Sequence, residues 1–212
     1  MAGWAVALMA VYVVLAFGVR VAVQLRRTGA TGISSIRSMP RLELLTGAPF
    51  AIAVILGGIN PLLALFDVVE SADGIDSTSA HIAGFGLCAA GILGTFLSQL
   101  AMGASWRIGL DPAERTELVT GGPFSLSRNP IYTFMIVAWI GFALLVPTWL
   151  ALAAVVLLFA GLELQVRLVE EPHLLRAHGE PYRAYAARVG RFVPRLGRIR
   201  RPSAGLDRRP SA

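Results

Sequence analysis

Four ionisable residues cluster near the end of a long apolar run: Glu163, Arg167, Glu170 and Glu171. At 3.6 residues per turn they share one helix face. Ionisable groups at membrane depth are expensive and are usually functional. Two adjacent glutamates near a helix C-terminal end also oppose its dipole. A second polar constellation lies upstream, in Gly121-Gly122-Pro123-Phe124-Ser125-Leu126-Ser127-Arg128-Asn129-Pro130-Ile131-Tyr132. The glycines permit a tight turn, Asn129 suits an N-cap, and Pro130 suits the first helical position. A helix start leaves N–H groups unpaired and carries partial positive charge, to which Arg128 adds a full charge. That combination is an anion site. Taken together, the two constellations suit a zwitterion. Its carboxylate would sit at the N–H groups or an arginine, its ammonium at a glutamate, and a flat ring on Phe124, Tyr132 or Tyr182. Each set also has a plainer reading: an i,i+4 ion pair from Glu163 to Arg167 with solvated glutamates, and Arg128 as an interfacial anchor.

The elements that position these groups are membrane spans. The 212 residues are 55% hydrophobic and 15% charged, with mean hydropathy +0.65, whereas soluble domains carry about 25% charged residues. Apolar runs cover about 4–25, 44–66, 81–102, 130–146 and 148–167. The expected fold is therefore an all-α integral membrane protein of five spans, the last two forming a tight hairpin at Pro147. No positive residue precedes the first run, so it reads as a retained span rather than a signal peptide, with Arg20 snorkelling toward the interface. Pro49, Gly57, Gly58 and Pro61 interrupt the second run, as membrane helices tolerate. The Gly- and Ala-rich third run suits close helix packing.

All 19 basic residues are arginine, and the net charge is +6. The charge is distributed as in a membrane protein rather than a nucleic-acid binder. The segments after the first, third and fifth spans carry the arginines (Arg26, Arg27, Arg37 and Arg41; Arg107 to Arg128; and the C-terminus). The segments after the second and fourth carry none, and 67–80 holds Asp67, Glu70, Asp73 and Asp76. Positive-inside counting places the N-terminus outside and the C-terminus in the cytoplasm of the plasma membrane. Cys88 is the lone cysteine, so neither an internal disulfide nor a Cys-based metal motif can form. His81, His173 and His178 lack ligand spacing, and His81 marks an interface. Residues 1–194 read as one membrane-embedded domain. Within it, 172–179 and 181–190 are short amphipathic helices that place Leu174, Leu175, Tyr182, Tyr185 and Val189 against the membrane or the helix ends. Residues 195–212, with Arg-Pro-Ser-Ala at 201–204 and 209–212, read as a disordered tail attracted to anionic lipid.

Over about 80 residues the C-terminal half resembles the isoprenylcysteine carboxyl methyltransferase and phospholipid methyltransferase superfamily. The matching residues are Leu118-Val119-Thr120-Gly121-Gly122-Pro123-Phe124 and Arg128-Asn129-Pro130-Ile131-Tyr132, then Glu170-Glu171, Leu174, Gly179, Tyr182, Tyr185, Arg191 and Pro194. The resemblance implies a membrane enzyme using S-adenosylmethionine in a cytoplasm-facing pocket, with a lipophilic substrate entering from the bilayer. It implies that Glu117, Leu118, Val119, Phe124, Arg128, Asn129, Pro130 and Tyr132 line the cofactor, and that Glu170 or Glu171 takes its ammonium. Asn129 stands where the family often has His. Phe134 stands where it often has Gly, and would narrow the pocket or the lipid entrance.

Methyl transfer from a sulfonium needs positioning and exclusion of water. A carboxylate acceptor needs no base, and Arg167 could hold it. An amine or phenol would use Glu163 or Glu170 as base. Two other classes share parts of the pattern. One is an NADPH-dependent membrane reductase of the sterol-reductase type, although no arginine cluster near the motif is dedicated to a 2′-phosphate. The other is a non-enzymatic membrane subunit whose polar stripe serves helix association. The expected partners are a lipophilic or lipidated acceptor and membrane lipids, with no nucleic acid and no metal.

Overall fold

Apolar runs of this length bury their backbone polar groups only as helices, and helices are what form. The computed structural model describes residues 1–33, 41–72, 74–109 and 117–199. Four helices are long and apolar enough to cross a membrane: α1 (Ala2–Thr28), α2 (Arg41–Leu65), α3 (Thr78–Ala101) and α5 (Trp149–His178). Between the last two, α4 (Pro130–Leu145) is apolar but only 16 residues long, about 24 Å at 1.5 Å per residue. A short helix, α6 (Glu180–Arg188), follows α5. Gly179, at φ 57°, makes the corner between them.

The first four helices match the apolar runs, but α5 outruns its expected end by more than two turns. Pro172 lies inside it and has no N–H to bond four residues back, a defect that normally breaks a helix. Here a π turn over Val166–Glu170 absorbs the mismatch, and helix resumes at Glu171. The chain therefore carries Glu170 and Glu171 on a continuous rod rather than at a frayed end.

Small residues set the packing. On α3 a Cβ at Gly91 would lie 2.6 Å from the Cβ of Ala138, and one at Gly84 would lie 2.9 Å from the carbonyl oxygen of Gly141. Gly94 lies against the ring of Phe134. Helices α3 and α4 thus run antiparallel in close contact. Helix α2 does the same along α5, from the hydrogen bond of Thr46 Oγ1 to Gln165 Oε1 (2.6 Å) to that of Thr148 Oγ1 to Asn60 Oδ1 (2.5 Å). Asn60 also donates to the Val146 carbonyl (3.2 Å), and the Ala72 amide donates to Pro147 (2.6 Å), which fixes the α4–α5 corner. Helix α1 runs parallel to α3, with Trp4 on Phe85 at one end and Arg20 bonded to Gly103 at the other.

These pairings sort the helix ends. Arg26, Arg41, Arg107, Arg128 and Arg167 lie toward one end of the bundle. The opposite end holds the α4–α5 corner and the 66–77 connection, where His81 Nε2 meets Asp76 at 3.0 Å. Arg37 and Asp73 lie outside the described residues, as do residues 200–212 of the expected tail. Its first residues, 195–199, are folded back: the Ile199 amide bonds to Ala186 (3.1 Å) and the Arg191 amide to Leu196 (2.7 Å).

Arg20 does not snorkel. It is 0% exposed, because the C-terminal end of α3 offers it unpaired carbonyls. Its Nε donates to the Gln99 carbonyl (3.3 Å), and its Nη2 to Gly103 (2.7 Å) and to Gln24 Oε1 (2.9 Å).

Candidate functional site

At the arginine-bearing end, the start of α4 and the last turns of α5 meet, as their hairpin connection requires. The segment before α4 does not leave its amides open. Arg128 N donates to Gly190 O (2.8 Å) and Asn129 N to Arg191 O (3.1 Å), so the chain after α6 lies alongside it. Asn129 occupies the N-cap position, but its side chain does not cap the helix. Its Nδ2 donates to Arg191 O (3.2 Å) instead. Pro130 is the first residue of α4, as its fixed φ favours.

Arg128 corrects the expectation of an open anion site. It is 6% exposed. Its Nη1 donates to Ala186 O (3.1 Å) and Val189 O (2.8 Å), and its Nη2 to Gly197 O (3.0 Å) and to the Glu171 carboxylate. Glu171 also accepts from Arg191 Nε (2.8 Å) and Nη2 (3.0 Å). These bonds hold the Arg191 guanidinium above its ordinary value. Arg191 Nη1 reaches Glu163 (2.9 Å), and Glu163 accepts Arg167 Nε at 2.5 Å. The result is an alternating line, Arg128–Glu171–Arg191–Glu163–Arg167, running from the interior outward. Arg167 ends it with its side chain 58% exposed. The i,i+4 pair is thus real, but it is one link in a longer chain.

Glu170 has a different environment. Tyr132 donates its phenol to the carboxylate at 2.5 Å. Glu43, in the first turn of α2 and buried, lies within electrostatic reach of both Tyr132 and Glu170. Arg107 lies within reach of Glu170 and of His173. The site therefore pairs one carboxylate satisfied by two guanidinium groups with an adjacent one satisfied by a phenol.

The remaining expected residues are distributed around this centre. Leu118 packs on the Tyr182, Tyr185 and Ala186 cluster, Val119 is half-buried, and Glu117 is exposed, its carbonyl accepting from Ser105 Oγ (3.3 Å). Phe124 and Tyr182 are buried rather than presenting an open shelf. Tyr185 donates to the Phe124 carbonyl (2.6 Å), and burial pushes its phenol up to about 12. Phe134 is half-buried against Gly94 of α3. Two participants had no assigned role from sequence. Arg191 lies outside every helix, so periodicity could not place it. Glu43 carried one signal, an acid in the first turn of an apolar helix.

Residues 79–181 match the family model described as phospholipid methyltransferase. This segment belongs to the phospholipid methyltransferase family. The matched segment spans α3, α4 and α5 and holds Arg128, Tyr132, Glu163, Glu170 and Glu171, while Arg20, Glu43 and Arg191 lie outside it. The chain is also similar to the nickel-cobalt-cadmium resistance protein NccN of Alcaligenes xylosoxydans xylosoxydans, with 31% identity over 121 residues, 57% of this chain. The match spans 55% of that relative's length.

Proposed function

We propose that the protein is an S-adenosylmethionine-dependent methyltransferase acting on a lipophilic carboxylate, amine or hydroxyl at the cytoplasmic face of the plasma membrane. The observation that carries this reading is the contrast between the two glutamates. Glu171 is ion-paired with Arg128 and Arg191, while the Glu170 carboxylate accepts from the Tyr132 phenol, with Glu43 and Arg107 within electrostatic reach. A carboxylate so placed fits an ammonium group, and the donors and acceptors around it fit an amino acid moiety. S-adenosylmethionine, when bound, supplies an electrophilic methyl group on a sulfonium. Glu170 holds the ammonium, and Tyr132 orients the Glu170 carboxylate. The Arg128–Glu171–Arg191 line fastens the loop before α4 to the segment after α6, which keeps water from the reacting groups. Arg167, exposed at the end of that line, faces an acceptor arriving from the bilayer, and Phe134 borders its route.

Five crossings support this placement. Helix α4 is short, but it lies along α3 from Gly94 to Gly84, and a locally thinned bilayer accommodates such a helix. With five crossings all arginine-bearing ends share one side, which positive-inside counting makes cytoplasmic. The test is a titration of detergent-purified protein with S-adenosylhomocysteine and, separately, with NADPH, followed by transfer of labelled methyl groups into a membrane lipid extract and into water-soluble metabolites. Binding of S-adenosylhomocysteine and label in the lipid fraction are expected. Binding of NADPH alone would overturn the reading, and label confined to water-soluble products would overturn the lipophilic acceptor.

A further inference from the structure

Helix α1 lies outside the matched segment, yet its C-terminal half is fastened to the connection that leaves α3. Arg20 Nη2 bonds to Gly103 O (2.7 Å), and Gln24 Nε2 bonds to Ala104 O (2.9 Å). The Arg20 guanidinium carbon stacks 4.4 Å from the centre of the Trp106 ring, and Trp106 is buried. Gly32 O accepts from Ile108 N (2.7 Å). Gly32 has φ +73°, and a Cβ there would meet Trp106 O at 3.0 Å. Glycine thus serves both the backbone conformation and the close approach.

A π turn over Val14–Val19 prepares this contact. Arg20 N bonds five residues back to Leu15, which releases the Ala16 carbonyl. Gln99 of α3 takes it, through Nε2 at 3.2 Å. The wider turn also keeps Tyr12, Ala16 and Arg20 on the face that meets α3. Every residue from Gly103 to Ile108 is thereby flanked by an anchor on residues 20–33, and Arg107 in their midst lies within reach of Glu170.

We propose that Arg20 is a positioning residue for the cofactor site: by gripping the end of α3 and stacking on Trp106, it holds the 103–108 segment, whose Ser105 Oγ donates to the Glu117 carbonyl (3.3 Å) at the start of the stretch leading to Phe124 and Arg128. This inference rests on the proposed methyltransferase reading. Its mechanism is transmission through a packed side chain and a pinned loop, not contact with a ligand.

The test uses the full chain in detergent with Arg20→Met, Arg20→Lys and the exposed control Arg26→Gln. Hydrogen exchange of residues 103–109 and the affinity for S-adenosylhomocysteine are read together. Arg20→Met should speed exchange in 103–109 and weaken binding about tenfold or more, roughly the worth of one charged hydrogen bond. Arg20→Lys should recover part of both, and Arg26→Gln should change neither. A core variant chosen because its measured melting temperature equals that of Arg20→Met should bind normally, which separates positioning from general loss of stability. Unchanged exchange in Arg20→Met would overturn the clamp. Faster exchange with undiminished binding would overturn its role at the site. A wild-type protein that does not bind S-adenosylhomocysteine would overturn the cofactor reading, while the exchange data still decide the clamp.

Discussion

Adjacent residues of the same type do different work here. Glu171 accepts from Arg128 and Arg191, and its loss removes the buried carboxylate that both guanidinium groups share, leaving Arg191 with Glu163 and Arg128 with backbone carbonyls alone. Breaking a buried pair in this way costs about 3 to 5 kcal/mol, so Glu171→Gln should lower the melting temperature sharply and weaken cofactor binding as a consequence. Glu170→Gln removes a carboxylate bonded by a phenol. It should leave the melting temperature nearly unchanged while weakening S-adenosylhomocysteine binding about tenfold or more. Calorimetric titration beside thermal unfolding distinguishes the two, and equal stability losses would contradict the division. The sequence made both carboxylates and Arg128 visible as a constellation, because helical spacing and the cost of charge in a membrane are local properties. It could not assign roles within the pair. That depended on Arg191, 20 residues beyond Glu171, whose approach is a matter of tertiary folding.

At the scale of elements, glycine placement decides how closely the helices approach. Gly91→Ala forces a methyl group into the backbone of α4 and should destabilise by about 1 to 3 kcal/mol. On the same helix a Cβ at Gly86 would meet nothing within 4 Å, so Gly86→Ala should be neutral or stabilise by up to about 1 kcal/mol. Thermal unfolding of the two variants checks the contrast. At the far corner, Asn60→Ala would leave the Val146 carbonyl unpaired and remove the acceptor used by Thr148. It should cost about 1 to 3 kcal/mol by the same measurement. Hydropathy located these helices because burial in lipid demands long apolar runs, and the Gly- and Ala-rich third run announced close packing. The extension of α5 past Pro172 was not legible, since a proline normally signals an end and only the π turn removes the conflict. Arg20 was misplaced for a related reason. Snorkelling is the default for a lone arginine, and the carbonyls that capture it come from a helix some 80 residues away.

For the whole molecule, a reporter fused after Asp76 should lie on the opposite side of the membrane from one fused after Pro194. Agreement between them would rule out the five-crossing arrangement. The arginine asymmetry was readable from sequence, and the helix pairings bring the same residues to one end of the bundle. The folded course of residues 195–199 was not readable, because Arg, Pro and Gly there resemble a tail. Yet Arg128 and Glu171 find their full complement of partners only when residues 189–197 have folded over them. Order of synthesis therefore matters. The ribosome makes Arg128, Tyr132 and Glu170 first, and the hairpin that carries them forms with its charged line still incomplete. The chain that closes the line is made afterwards. In a nascent hairpin Arg128 and Glu171 lack the partners that residues 189–197 supply, and the line closes only as those residues arrive. A chain released before Arg191 would lack the link between Glu171 and Glu163.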